Sequence, residues 1–373
     1  MTQQETLVLY IIILLICTAT TATVPSYSFK NNSKRAYFYL FASIPIIIYT
    51  LFWGLRYDVG ADYLNYKGYF SFMPEKIEIG YQFLNKILNN LGFNYVSIFI
   101  VTSFFPIYTL FFIARKESKP FAVLLVYFFF TSSLVFFTQN GIRQSIALFF
   151  IFILISKIKD SKLPTLITLA ILALLFHKSA IVPITFITLL YILKPIRINK
   201  YILISLLIIL TFTGSKLYDI FFAKFAFMFE LLDYSGYEEN IGNYESAVKY
   251  DSGFGMILKL IINLIVIYNQ DKFLQNKEDK QPIYYFYIFF VIGILLDRII
   301  AGNSIFGRMN VYFINSRVII YAYLCYYLIS HKNIKYSIII AFIIVSMLLL
   351  YISSILGNSN ICVPYKSIFS TIV

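Results

Sequence analysis

Long apolar runs, separated by short polar stretches, follow one another along most of this chain. The runs are continuous and do not alternate with period two, which predicts helices and not the strands of a barrel. The pattern places helical spans at about 7–24, 36–53, 95–114, 120–137, 142–157, 163–176, 178–193, 199–213, 253–269, 282–300, 307–329 and 334–356. The runs 163–176 and 178–193 are short for a crossing that needs about 20 residues. They read either as two tilted spans or as a re-entrant pair. The stretch "KIEIGYQFLNKILNNLG" (76–92) is amphipathic and predicts a helix lying at the membrane surface. Residues 214–252 are partly apolar, and "YDIFFAKFAFMFELLDY" within them reads as a further half-helix. The first apolar run has no Lys or Arg before it, so it is expected to stay as a span and not to be cleaved as a signal peptide.

Composition agrees with this pattern. The chain has 373 residues, 60% hydrophobic and 13% charged, with mean hydropathy +0.77. A soluble domain carries about a quarter charged residues. The expected fold class is therefore all-α: a polytopic helical bundle of about twelve transmembrane helices, a single domain over 1–373. Charge then sets orientation. Lys30, Lys34, Arg35, Arg115, Lys116, Lys119, Lys157, Lys159, Lys162 and their counterparts near 194–200, 272–280 and 332–335 make 17 of the 31 basic residues, all in alternate loops. Basic loops stay in the cytoplasm. Both termini and the loops 54–94 and 214–252 then face outward, the second with a net acidic charge. The net charge of +13 is scattered, so no nucleic-acid surface is expected. Cys17, Cys325 and Cys362 are too dispersed for a disulfide framework or metal site and read as small hydrophobes.

Four polar islands fall on the outward side: "GLRYDVGADYLNYKGYF" (54–70), "FTQNGIRQSIAL" (137–148), "LLFHKSAIVP" (174–183) and "DRIIAGNSIFGRMNVYF" (297–313). Ionisable groups at membrane depth are costly and mark function by default. Three spans start outside, near Gly141, His177 and Gly307, and helix N-termini favour anions. Together with Arg143, Lys178 and Arg308 they predict a phosphate site, because the guanidinium fork matches phosphate oxygens. Each residue also has a plainer reading. Arg143 and Arg308 could snorkel to headgroups, His177 could cap a helix, and Asp58 could pair with Arg56. Arg317, about nine residues into the eleventh span, must face protein or a water cavity, either in an ion pair or on a ligand. No Walker A loop, GxGxxG or HExxH motif occurs, and no DxD-like carboxylate pair that would hold a metal-bound nucleotide sugar.

The islands, in this order, resemble the EpsG family of bacterial exopolysaccharide polymerases, which is Wzy-like. The resemblance runs through "LRYDVGADYLNY" (55–66), "EIGYQFLN" (78–85), "NGIRQSIAL" (140–148), "FHKSAIVPI" (176–184), "GRMNVYF" (307–313) and the terminal "VPYKSIF" (363–369). It implies a membrane fold like that of the GT-C-type polymerases. It also implies a metal-independent, cofactor-free glycosyl transfer between polyprenyl-diphosphate-linked oligosaccharides, outside the bacterial cytoplasmic membrane, of the kind that builds exopolysaccharide, capsule or O-antigen. A flippase and a chain-length regulator are the implied partners. On that reading Arg143 and Arg308 clamp the leaving pyrophosphate with Arg56 as a third. His177 is the first candidate for general base, with Asp58 or Asp62 as the alternative. Glu78, Gln144, Lys178, Arg298 and Arg317 complete the expected substrate contacts, and tyrosines of the 234–250 loop are candidates to stack on sugars. The rivals are a ligase acting on the same donor, a flippase for lipid-linked glycan, and a membrane acyltransferase using His177. A flippase would carry charge through the membrane depth, and an acyltransferase would need a donor path for which no residues stand out.

Overall fold

The computed structural model describes residues 1–27, 31–193, 198–225, 253–274, 282–300 and 304–371. Apart from short 3-10 turns, the regular structure there is α-helical. In chain order the helices are α1 (Gln3–Thr21), α2 (Asn32–Gly54), α3 (Tyr63–Ser71), α4 (Ile79–Asn90), α5 (Val96–Ala114), α6 (Lys119–Thr131), α7 (Leu134–Asn140), α8 (Ile142–Lys157), α9 (Leu163–Phe176), α10 (Ile181–Ile192), α11 (Lys200–Phe225), α12 (Phe254–Tyr268), α13 (Gln270–Leu274), α14 (Pro282–Ile299), α15 (Ser304–Ile314), α16 (Arg317–Ser330) and α17 (Ile334–Leu356).

Each predicted apolar run meets a helix, though not every one has the length of a crossing. Among the described residues six helical stretches are long and apolar enough to cross a membrane: 3–21, 32–54, 96–114, 282–299, 307–330 and 334–356. A seventh is possible if α6 and α7, bent by 61° at their junction, form one broken span. Ser133 at that junction has φ of 65°, which takes the backbone out of the helix. The run 307–329 is also broken: α15 ends at Ile314, and Asn315 and Ser316 form a turn before α16. A helix is present within the stretch 76–92, as α4. The half-helix expected after Gly214 is in part a continuation of α11 to Phe225, while residues 226–252, with the tyrosines near 234–250, lie outside the described residues.

The chain divides into two compact units. The first comprises Met1–Ser156, Lys162–His177 and Tyr321–Val373, and the second Lys157–Ser161 and Lys178–Ile320. In the first, α2 packs along α5, α1 lies against α2 and α6, α17 joins α1 and α6, and α4 rests on α9 and α5. Lipid is as apolar as Leu, so close packing and internal hydrogen bonds must hold such helices together. Aromatic rings supply much of the contact. Tyr365 stacks on Phe52 at 4.5 Å, and Tyr10 meets Phe52, Trp53 and Phe136 at 5.2–5.9 Å. In the second unit α14 lies between α11 and α15. A Cβ at Gly293 would stand 2.4 Å from the Ile314 nitrogen, so only glycine lets α14 and α15 approach this closely. Asn310 Nδ2 then donates to the Gly293 carbonyl at 3.0 Å.

Candidate functional site

In the first unit Arg143 is part-exposed and paired with a carboxylate. Helix α7 ends at Asn140, Gly141 leaves helical geometry (φ −75°, ψ 54°), and α8 restarts at Ile142, so Arg143 stands in the first turn of a new helix. Its Nη1 donates to Glu78 Oε2. Glu78 is the N-cap residue of α4 but makes no side-chain cap, which leaves its carboxylate for Arg143. The two side chains are 25% and 11% exposed. The buried Tyr66 of α3 lies against the same guanidinium. Burial pushes the Tyr66 phenol pKa up, Arg143 pulls it down, and Asp62 nearby raises it again. The Arg143 Nε–H is buried and finds no acceptor among the described residues. A guanidinium aligned by a carboxylate and a phenol, and one-quarter exposed, can meet an anionic oxygen on its exposed face.

Arg56 behaves differently from the expectation. It is fully buried, and its guanidinium is spent on backbone: Nη1 donates to Trp53 O (2.5 Å), Nε to Val59 O (3.2 Å) and Nη2 to Gln139 O (3.2 Å). The Phe99 ring lies 4.7 Å from its Cζ and the Tyr63 ring 5.7 Å. Asp58 does not pair with it. Asp58 is exposed, in a left-handed conformation (φ 51°), and meets Lys366 at 3.4 Å. The reason is the return of the C-terminal segment. Tyr57 N bonds Lys366 O (2.9 Å), Ile368 N bonds Leu55 O (2.9 Å), Gly60 N bonds Ile361 O (2.8 Å), and Arg56 and Ser367 form an antiparallel bridge. Arg56 therefore staples the end of α2, α7 and the tail together, and does not stand as a third clamp.

The other predicted residues are placed as follows. Asp62 is half-buried at the N-terminus of α3, and its N–H donates to Asn140 Oδ1 at 3.4 Å. Gln144 is buried one residue beyond Arg143. His177 is buried and ends α9 in an extended conformation (φ −160°, ψ 122°), its N–H bonded to Ala173 O. Its position as a helix cap, one of the two readings weighed, is thus present. Lys178, Arg298, Arg308 and Arg317 belong to the second unit. Lys178 is exposed and opens a 3-10 turn whose Ser179 hydroxyl hydrogen-bonds that of Tyr312 at 3.1 Å. Arg298 pairs with its neighbour Asp297 at 2.8 Å. Arg308 is half-buried on α15, and Gly307 lies inside that helix, not at its start. Arg317 is the first residue of α16, just after the Asn315–Ser316 turn, ten residues into the crossing-length stretch 307–330. Among the described residues no three His, Cys, Asp or Glu side chains cluster as metal ligands would.

Sequence reasoning missed Tyr66, which reads as one more tyrosine of an interfacial belt, and Asn140. Asn140 also donates to Asn360 O at 3.0 Å and so links α7 to the tail. The visible signal for both was their place inside the polar islands "YLNY" and "NGIRQ".

The profile of the EpsG family matches residues 39–367, nearly the whole chain. The protein belongs to the EpsG family. The matched range takes in α2 from residue 39 on, the Arg143–Glu78–Tyr66 cluster and the tail up to the Arg56–Ser367 bridge. Comparison with curated proteins and with solved structures finds no match. Membership in the EpsG family, with several helices apolar enough to cross a bilayer, points to a membrane protein with a role of the polysaccharide-polymerase type.

Proposed function

We propose that this EpsG-family protein is a polysaccharide polymerase. It joins oligosaccharide repeat units carried on polyprenyl diphosphate, at the outer face of the bacterial cytoplasmic membrane. An acceptor hydroxyl oxygen attacks the anomeric carbon of the donor sugar. The new glycosidic C–O bond forms as the bond from that carbon to the diphosphate oxygen breaks. The diphosphate leaves with the electron pair, and the acceptor proton passes to a base. Donor activation resides in the diphosphate, so no nucleotide takes part. Flippase and chain-length regulator are the expected partners.

The observation that carries this reading is Arg143, part-exposed at the start of α8 and aligned by Glu78 and Tyr66. Charge developing on a leaving diphosphate is what such a group stabilises. His177 is the proposed base, because imidazole titrates near neutral pH, and Asp62 is the alternative.

The test is the glycan profile of cells carrying Arg143→Ala or Arg143→Lys, with extracted lipid-linked oligosaccharides run beside it. Long chains should vanish and single repeat units accumulate outside, with the Arg143→Lys protein still in the membrane. Removing one preorganised donor of this kind costs about 100- to 1,000-fold in rate. Long chains stranded on their carrier would instead indicate a ligase, and repeat units trapped inside a flippase.

A further inference from the structure

An open cleft of about 450 Å³ lies between α3, the segment that follows it, and α4. Four carboxamides line it: Gln82, Asn85, Asn89 and Asn90, joined by Lys86. Tyr69, Phe70 and Phe83 supply rings. No carboxylate lines it, and the one cation sits among amides. An amide offers a donor and an acceptor side by side. Gln82 spends its Nε2 on Ile77 O (2.6 Å) and Glu75 O (3.3 Å), so the exposed Asn89 and Asn90 carry most of the amide lining toward a ligand with paired donors and acceptors of its own, such as vicinal hydroxyls. Flat rings accept the apolar C–H face of a sugar, and a mixed apolar and amide lining is the general form of such pockets. A phosphate would call for more cations, and an acyl chain for a lining without amides.

One residue backs the cleft. Asn85 is only 4% exposed. Its Nδ2 donates to Tyr81 O at 2.8 Å, but its buried Oδ1 has no hydrogen-bond partner among the described residues. The nearby Tyr81 hydroxyl also lacks a bond of proper geometry. Asn85 and the neighbouring Tyr81 hydroxyl face each other inside the protein, so Asn85 forms the inner wall of the cleft and the exposed Asn89 and Asn90 present amides to a ligand. Gln82, Asn85 and Asn89 follow at helical spacing on one face of α4. At 1.5 Å per residue they span about 10 Å, the length of roughly two sugar rings. Ile79, at the other end of the lining, is next to Glu78, which holds Arg143.

We propose that the α3–α4 cleft is a sugar-binding subsite that takes neutral, hydroxyl-rich rings of the lipid-linked glycan beside the diphosphate clamp. It rests on the polymerase reading above. The probe is the host's own polysaccharide, cut by partial acid hydrolysis to di- to tetrasaccharides. These are titrated into the full chain in nanodiscs and followed by saturation-transfer NMR. Asn89→Ala combined with Asn90→Ala changes only exposed side chains, and should weaken binding by about fivefold per lost amide. Tyr69→Ala should weaken it similarly, and both variants should shorten the polymer made in cells. Wild-type affinity and chain length in both variants, with Arg143→Ala cells still free of polymer, would overturn the cleft alone. Normal polymer in Arg143→Ala cells would remove the polymerase reading and the subsite with it.

Discussion

At the scale of single residues, two arginines from two polar islands divide between structure and chemistry. Arg56 and Arg143 look alike in sequence, since each follows a glycine in an outward polar stretch. Arg56 is sealed against carbonyls and ring faces without a carboxylate. A buried charge persists only where hydrogen bonds replace its water, and charge-assisted bonds are worth about 1.5–3 kcal/mol each. Arg56→Ala leaves those carbonyls unpaired beside a cavity, so a loss of about 3 kcal/mol or more is expected. The readout is less protein in the membrane and a lower melting temperature in detergent. Arg143→Ala strands the Glu78 carboxylate and should also lower stability, whereas Arg143→Lys keeps a cation opposite Glu78 and should leave abundance near wild type while polymer is lost. An Arg56→Ala protein as abundant and stable as wild type would return Arg56 to the ligand. Cys362 gives a second check on the same buried junction. Burial pushes its thiol up to about 12, and the pull of Arg56 does not offset this. At pH 8 its thiolate is scarce, so alkylation in native membranes should run on the order of a thousandfold slower than for a free cysteine. Mass spectrometry of the peptide would measure that rate, and fast labelling would mean the tail detaches from the 55–61 loop.

At the scale of elements, α4 is where the sequence pattern and the packing agree most closely. Its amphipathic period was visible, and Tyr81, Asn85 and Leu88 do turn inward while Ile79, Phe83 and Ile87 stay exposed. The pattern could not show what α4 packs against. A Cβ at Gly80 would lie 2.7 Å from the Leu175 carbonyl oxygen near the end of α9. That contact sets Glu78, at the head of α4, beside the helix that ends in His177. Gly80→Leu should therefore cost about 1–3 kcal/mol through overpacking, and should lower both melting temperature and polymer yield. A melting curve and yield equal to wild type would show that the α4–α9 contact does not position the site. The breaks at Ser133 and at Asn315–Ser316 were invisible in hydropathy, because the apolar run continues across them. Backbone geometry there follows from neighbouring contacts, among them the Ser133–Ser354 hydroxyl pair at 2.9 Å.

At the scale of the whole molecule, charge placement predicts sidedness. With basic residues concentrated in alternate loops, cysteines introduced at Asn65 and Lys86 should react with a membrane-impermeant maleimide on intact cells. Cysteines at Lys162 and Lys332 should react only after permeabilisation. The opposite result at either pair would invert the proposed outward site. This experiment also bears on the number of crossings, because α9, α10, α11 and α12 supply only short apolar stretches among the described residues.

By itself the sequence determined the solvent, the helical class and the family. Those follow from composition, period and ordered local motifs, none of which needs long-range contacts. It also singled out Arg143, Glu78 and Asp62, whose polarity is conspicuous in an apolar chain. Only the tertiary structure decided that Glu78 meets Arg143 across 65 residues, and that the tail 358–368 closes over 55–61. Only there does Arg56 turn inward while Arg143 stays half open. The physical reason is that a polar residue's role depends on which partners reach it. Partners brought together by backbone pairing and helix packing leave no period in the sequence.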